Sequence, residues 1–130
     1  MSTIPTDRKY THDHEWVKLQ SDGQVAIGIT DFAQKELDHV VYAELPPVEV
    51  HYSRHEACGK LESVKAVSEV YCPVDGKVIE RNEGLMDDPE SINSDPYGAW
   101  LFTLQPDSVK DLDQLMDAAT YEKLLTEQDF

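Results

Sequence analysis

The sequence predicts a mainly β fold, an antiparallel sandwich or barrel, on three observations. Short apolar runs alternate at period two, turn residues separate them at intervals of about 8 to 12 residues, and helical periodicity is confined to one internal stretch and the end of the chain. The length of 130 residues fits one domain, since domains run to roughly 100–200 residues. The reading takes 1–130 as that domain, with a core over about 10–105 and a helical segment over about 108–128.

Taken in order, residues 14–19 read as a strand with Trp16 as its heavy apolar residue. Ser21-Asp22-Gly23 turns the chain back into Val25, Ile27 and Ile29, which makes a hairpin. Thr30 and Asp31 then offer a capping oxygen to a short helix over 32–37, with Phe32 and Leu37 on one side. Residues 40–45 form a β-branched and aromatic strand, stopped by Pro46-Pro47, which cannot continue a ladder. Further strands are expected at 57–64, 66–71, 74–82 around Gly76, and 100–104. Leu112, Leu115, Met116 and Ala119 recur at helical spacing, and 121–125 follows after Thr120, so the end of the chain reads as one or two amphipathic helices.

Composition narrows the function. Eleven Lys plus Arg against 26 Asp plus Glu give a net charge of −15. A surface this acidic repels a polyphosphate backbone, which argues against a nucleic-acid partner. No stretch approaches the roughly 18 apolar residues a membrane helix needs, so no membrane role is expected. Residues 1–10 have neither a secretory h-region nor the Arg- and Ser-rich character of a transit peptide, which points to a bacterial-type cytoplasmic protein. Cys58 and Cys72 are a poor disulfide framework for a chain able to build its own core, and read as buried thiols in a reducing compartment.

Signatures of catalysis fail one by one. Gly23 and Gly28 have the spacing of a phosphate loop, but Ile29-Thr30 follows where a Lys and a hydroxyl are needed. There is no Gly-x-Ser-x-Gly elbow. His51 and His55, four apart with Glu56 and Cys58 nearby, allow a metal site if the segment is helical; solvated loop histidines are the plainer reading, and no metal is expected. Cys58 beside His55 lacks a third orienting group and reads as a small core residue. No catalytic residue is assigned.

What remains is the stretch Glu62-Ser63-Val64-Lys65-Ala66 between two strand-like runs. Lys65 has no bulky neighbour, which is what an enzyme needs when it must grip one amine on a folded domain. By itself such a lysine is far more often a solubilising charge.

Several blocks, in order along the chain, change that. They are Tyr10-Thr11 with His14-Glu15-Trp16-Val17; V-A-I-G-I-T-D-F-A-Q over 25–34; Val40-Val41 with Glu44-Leu45-Pro46; Glu62 to Ala66; Pro73-Val74 with Gly76; Asp95-Pro96-Tyr97-Gly98 before Trp100-Leu101; and Tyr121-Glu122-Lys123-Leu124-Leu125. Over 10–128 the chain resembles the glycine cleavage system H proteins, the lipoyl carriers of that system.

The resemblance implies a barrel-sandwich hybrid with the lysine at a hairpin tip, and a carrier that is not itself an enzyme. It implies lipoate in amide linkage on Lys65, as N6-lipoyllysine, attached by a lipoate ligase or a lipoyl or octanoyl transferase that recognises Glu62, Ser63, Val64 and Ala66. Its partners would be the pyridoxal-phosphate glycine decarboxylase, the tetrahydrofolate-dependent aminomethyltransferase and dihydrolipoamide dehydrogenase. Asp13, Glu15 and Glu69 match positions that shelter the loaded arm in a surface cleft, where a carboxylate would attract an ammonium; each also reads as a plain surface acid.

Departures from the family pattern are specific. Glu49 and His55 stand where turn glycines are usual, Asp38 replaces a common glycine, and Cys58 sits where an aromatic residue is frequent. Lys60-Leu61 replaces a smaller or β-branched pair, and the loop at Gly98-Ala99-Trp100 is one residue shorter. A second reading stays open: an H-like lipoyl domain that relays lipoyl groups to other complexes or serves another redox system. A biotin carrier fits less well, because Val64 and Ala66, rather than methionines, flank the lysine.

Overall fold

Two antiparallel sheets enclose most of the apolar side chains in a computed structural model that describes residues 4–128. The elements are β1 (Lys9–Tyr10), β2 (Glu15–Leu19), β3 (Val25–Ile29), α1 (Asp31–Leu37), β4 (Val40–Glu44), β5 (His51–Tyr52), β6 (Ala57–Ser63), β7 (Val67–Tyr71), β8 (Gly76–Arg81), α2 (Gly84–Asp87), α3 (Ser91–Ser94), β9 (Phe102–Pro106), a 3-10 turn (Val109–Gln114) and α4 (Ala118–Gln128). The larger sheet has the order β1-β2-β3-β9-β8-β5, and the smaller β4-β6-β7.

Strand β3 is buried along its whole length and serves two cores. Val25, Ile27 and Ile29 join the main core with Val40, Ala43, Leu61 and Val70 of the smaller sheet. Ala26 lies on the opposite face, in a second cluster with Tyr10, Trp16 and Tyr121. Both faces of this strand are covered, because α4 and Trp16 close the outer one. Gly28 sits opposite Trp16 in the ladder. A Cβ there would lie 2.5 Å from the indole, so only glycine lets the ring lie flat on the strand.

Helix α1 begins where expected. Thr30 is extended and its Oγ1 accepts from the Ala33 amide, which satisfies one of the free N–H groups of the first turn.

Three expectations are corrected. Leu112, Leu115, Met116 and Ala119 do not share a helix: the 3-10 turn ends at Leu115, which is extended, and Met116 exchanges two backbone bonds with Tyr10, at 2.8 and 2.9 Å. Pairing Met116 with the edge strand β1 satisfies backbone groups of both segments. Helices α2 and α3 were not anticipated, because four residues are too few to carry a 3.6-residue period. Strands β1 and β5, two residues each, were missed for the same reason.

Candidate functional site

The β6–β7 hairpin carries Lys65 at its tip. Ser63 builds the turn: its Oγ accepts from the amides of Lys65 at 3.3 Å and Ala66 at 3.0 Å, and the Ser63 amide donates to the Ala66 carbonyl at 2.8 Å. A hydroxyl that caps two successive amides holds a short reversal rigid without glycine. Residues 64–69 are all exposed, and among the described residues no carboxylate lies within ion-pair distance of Lys65. Glu62 pairs with Val67 across the hairpin and approaches Lys60 Nζ at 3.9 Å. The expected motif residues are therefore all on one small, solvent-facing reversal.

Beside the hairpin runs a surface groove of about 460 Å³, lined by Ala66, Val67 and Ser68 on one wall and by Asp13, His14, Phe32 and Leu37 among others on the opposite side. His14 takes a left-handed backbone, φ 66°, and its ring is fixed from two sides. Nδ1 lies 2.9 Å from the Tyr121 hydroxyl, which in turn lies 2.7 Å from Thr30 Oγ1, and Phe32 packs at 4.6 Å between ring centroids. Burial keeps the imidazole below its ordinary pKa. The groove thus combines apolar lining from Ala66, Val67, Phe32, Ala33 and Leu37 with the polar groups of Asp13, His14, Glu36 and Ser68. That layout fits an apolar chain tethered to Lys65 whose far end carries a polar or cationic group.

The three acidic positions singled out from the sequence lie in unlike environments, and only Asp13 lines the groove. Glu15 is 2% exposed and is not a surface acid. Its Oε2 accepts from the Tyr71 amide at 2.7 Å and its Oε1 lies 3.3 Å from Thr11 Oγ1. Burial pushes its carboxyl up to about 8, against those two hydrogen bonds, and the Asp13 charge adds to the rise. Asp13 and Glu69 are exposed. Glu69 and Tyr71 are two apart on β7 and so share a face. The Glu69 charge is the largest cause that holds the Tyr71 phenol above its usual range, and Asp13 and Glu15 contribute in the same direction. Of the three acids, Glu15 alone touches Tyr71, through the backbone amide.

Sequence reasoning missed Tyr71, His14, Phe32 and Tyr121 as parts of this region. The signal for Tyr71 was available, since Glu69-x-Tyr71 is one face of a strand. His14 and Tyr121 are 107 positions apart, and no local pattern joins them.

The weaker candidates separate. His51 Nε2 pairs with Asp107 at 2.8 Å, while His55 faces Asp13 at 3.8 Å, so the two imidazoles do not converge. Among the described residues no group of three or more His, Cys, Asp or Glu could hold a metal. Cys58 and Cys72 are free and buried, and burial raises both thiols, Cys72 to about 12, the reverse of activation. No helix of the described residues is long and apolar enough to cross a membrane.

Comparison with known proteins agrees over nearly the full length. The family model described as Glycine cleavage H-protein matches residues 8–128. A glycine cleavage system H protein of Alkalilimnicola ehrlichii is 47% identical over 130 residues, covering 99% of this chain and 100% of its own length. One from an Azoarcus species is 52% identical over 121 residues, covering 93% and 95% respectively. The crystal structure of a glycine cleavage system H protein from Mycobacterium marinum superposes with a TM-score of 0.87 at 39% identity, covering 95% of this chain and 99% of that one.

Proposed function

The chain belongs to the glycine cleavage H-protein family, and on that premise we propose that Lys65 is the lysine that bears the family's lipoyl group. As a member, the protein is a non-catalytic carrier with lipoate in covalent linkage to a lysine. It carries an aminomethyl group from glycine decarboxylase to the aminomethyltransferase and presents its reduced arm to dihydrolipoamide dehydrogenase. The bound group supplies a dithiol that takes up and releases the cargo; the chain's own residues supply presentation and shelter.

The observation that carries the Lys65 assignment is its place at the exposed tip of the β6–β7 hairpin, inside Glu62-Ser63-Val64-Lys65-Ala66. Ser63 holds that tip in one geometry, which lowers the ordering cost when an enzyme grips it. Glu62, Val64 and Ala66 complete the motif that the attaching enzyme reads, a lipoate ligase or a lipoyl or octanoyl transferase. The groove next to Ala66–Ser68 gives the arm an apolar wall.

For the cargo end, the reading assigns Asp13 and Glu69 the attraction of an ammonium. Glu15 acts from beneath by holding the Tyr71 amide, which positions the Glu69–Tyr71 face of β7. The protein is read as one lipoyl-carrier domain over 1–130, with its core over about 10–105 and its helical segment over about 108–128; the stack of Tyr10 on Tyr121, 4.7 Å between centroids, supports that unity. Its bacterial relatives support a cytoplasmic location.

Intact mass tests the attachment. Protein from a host with lipoate and an active ligase should carry one lipoyl addition, absent from Lys65→Arg and Lys65→Ala. A lipoyl mass that persists in Lys65→Arg would move the attachment elsewhere.

A further inference from the structure

Strand β4 contains an irregularity next to the lysine. Val40 pairs with Ser63 and Tyr42 with Glu62, so Val41 is an extra residue with no partner on β6. A bulge of this kind re-aims side chains. Here Val41 and Tyr42 both face solvent, 54% and 43% exposed, where strict alternation would hide one of them. The Val64 amide donates to the His39 carbonyl at 3.2 Å, which ties the start of β4 to the hairpin tip. Tyr42, Glu62 and Val67 form one row across the three strands. Val64 and Val67 are 71% and 62% exposed. Four large apolar side chains are therefore exposed on the strands and turn that carry Lys65, in a chain of net charge −15. Exposed apolar residues scattered singly need no explanation, but a cluster marks a contact surface.

We propose that this bulge-built collar, Val41 with Tyr42, Val64 and Val67, is the docking surface for the enzyme that acylates Lys65, and that glycine decarboxylase does not need it. The proposal rests on Lys65 as the attachment site. Reach decides between the two partners. A bare lysine places Nζ only about 6 Å from its Cα by covalent geometry. The acylating enzyme must bring the acyl carbon to bonding distance of that nitrogen, so its surface meets the side chains beside the lysine. In that step Nζ attacks the carbonyl carbon of an activated lipoyl or octanoyl donor. The C–N bond forms, the bond to the donor's phosphate oxygen or thioester sulfur breaks, and one amine proton leaves. After acylation the arm is about twice as long, and its end can enter a partner without the collar being covered. An acylating enzyme with an apolar lip, and a cation to meet Glu62, fits the row Tyr42–Glu62–Val67.

The test uses the whole chain with purified lipoate ligase, lipoate and ATP, and reads initial rates by intact mass. Val41→Asp and the uncharged Val41→Asn should raise the KM for the carrier about tenfold at unchanged kcat, the size expected for loss of a central apolar contact. Val109→Asp, at an exposed apolar residue outside the collar, should match wild type. Variants driven to full lipoylation by prolonged incubation should then show a KM for glycine decarboxylase within twofold of wild type. Unchanged ligase kinetics in both Val41 variants would overturn the proposal, and so would a decarboxylase KM raised as much as the ligase KM. Val41→Asn guards against a folding defect in Val41→Asp, and thermal melts report it. A wild type that the ligase leaves unmodified would overturn the Lys65 assignment and the proposal with it, a result seen before any variant is compared.

Discussion

The Tyr71 amide donates to Glu15 Oε2 at 2.7 Å, and joins two strands of different sheets through a carboxyl that is almost wholly buried. The bond stabilises β7 from below, and burial raises the carboxyl pKa to about 8.

That pKa makes stability depend on pH. The unfolded carboxyl loses its proton near its ordinary 4.5, the folded one near 8. Between those values the folded state binds more protons, so the Glu15 contribution is intact below about pH 4.5 and is lost as pH rises to about 8. Glu15→Gln keeps an acceptor for Tyr71 and cannot ionise. It should gain on wild type as pH rises, by on the order of 4 kcal/mol at pH 8.5 relative to pH 4.5. Denaturant melts at several pH values measure this; parallel profiles for the two proteins would refute it.

Asp38 closes α1 with φ 69° and ψ −149°, a region that only glycine occupies without strain. Asn93 Nδ2 donates to its carbonyl at 2.7 Å and holds the geometry. Asp38→Gly should therefore stabilise the protein by about 1–2 kcal/mol. Urea unfolding at pH 7 checks the sign, and a loss of stability would show that the Asp38 side chain supplies more than its backbone costs. Glu49 and His55, at φ 70° and 71°, should respond to glycine in the same direction but by about 1 kcal/mol or less.

Tyr121 is fully buried and its hydroxyl reaches both Thr30 Oγ1 and His14 Nδ1. Tyr121→Phe removes the oxygen but leaves those two groups in place. A cost of about 1–3 kcal/mol follows from leaving buried polar groups unpaired. The 1H–15N spectrum of His14 should change at the same time, because its ring loses the group that selects its tautomer. An unaltered imidazole signal would exclude the contact.

Ser63 Oγ holds the amides of Lys65 and Ala66. Ser63→Ala should speed hydrogen exchange at those amides about fivefold, the equivalent of one hydrogen bond of roughly 1 kcal/mol, with the global unfolding free energy little changed. Exchange at the wild-type rate in both amides would mean that the turn is held by its backbone alone.

Much of this is legible in the sequence. The period-two run Val25, Ile27 and Ile29 located β3, and strand-like runs between turn residues located β2 and the β6–β7 hairpin. Glu62 to Ala66 located the tip. The departures at Asp38, Glu49 and His55 fall at positions of positive φ, so a substitution pattern on the page already marked strained backbone. Met116 was less readable. Its neighbours have helical spacing, yet a backbone pairing with Tyr10 overrides it, and such pairing leaves no mark on side-chain type.

The amino-acid sequence by itself determined the sandwich class, the turn-borne lysine and the carrier family, since each is written in local spacing or in blocks of adjacent residues. Only the tertiary structure decided that Glu15 lies buried while Asp13 and Glu69 face solvent, that the Glu15 carboxyl holds the Tyr71 amide across the two sheets, and that a bulge in β4 leaves both Val41 and Tyr42 exposed. Those outcomes depend on which strands become neighbours and in what register. A one-residue shift of register changes the face every side chain occupies, and no single segment encodes the position of its partner.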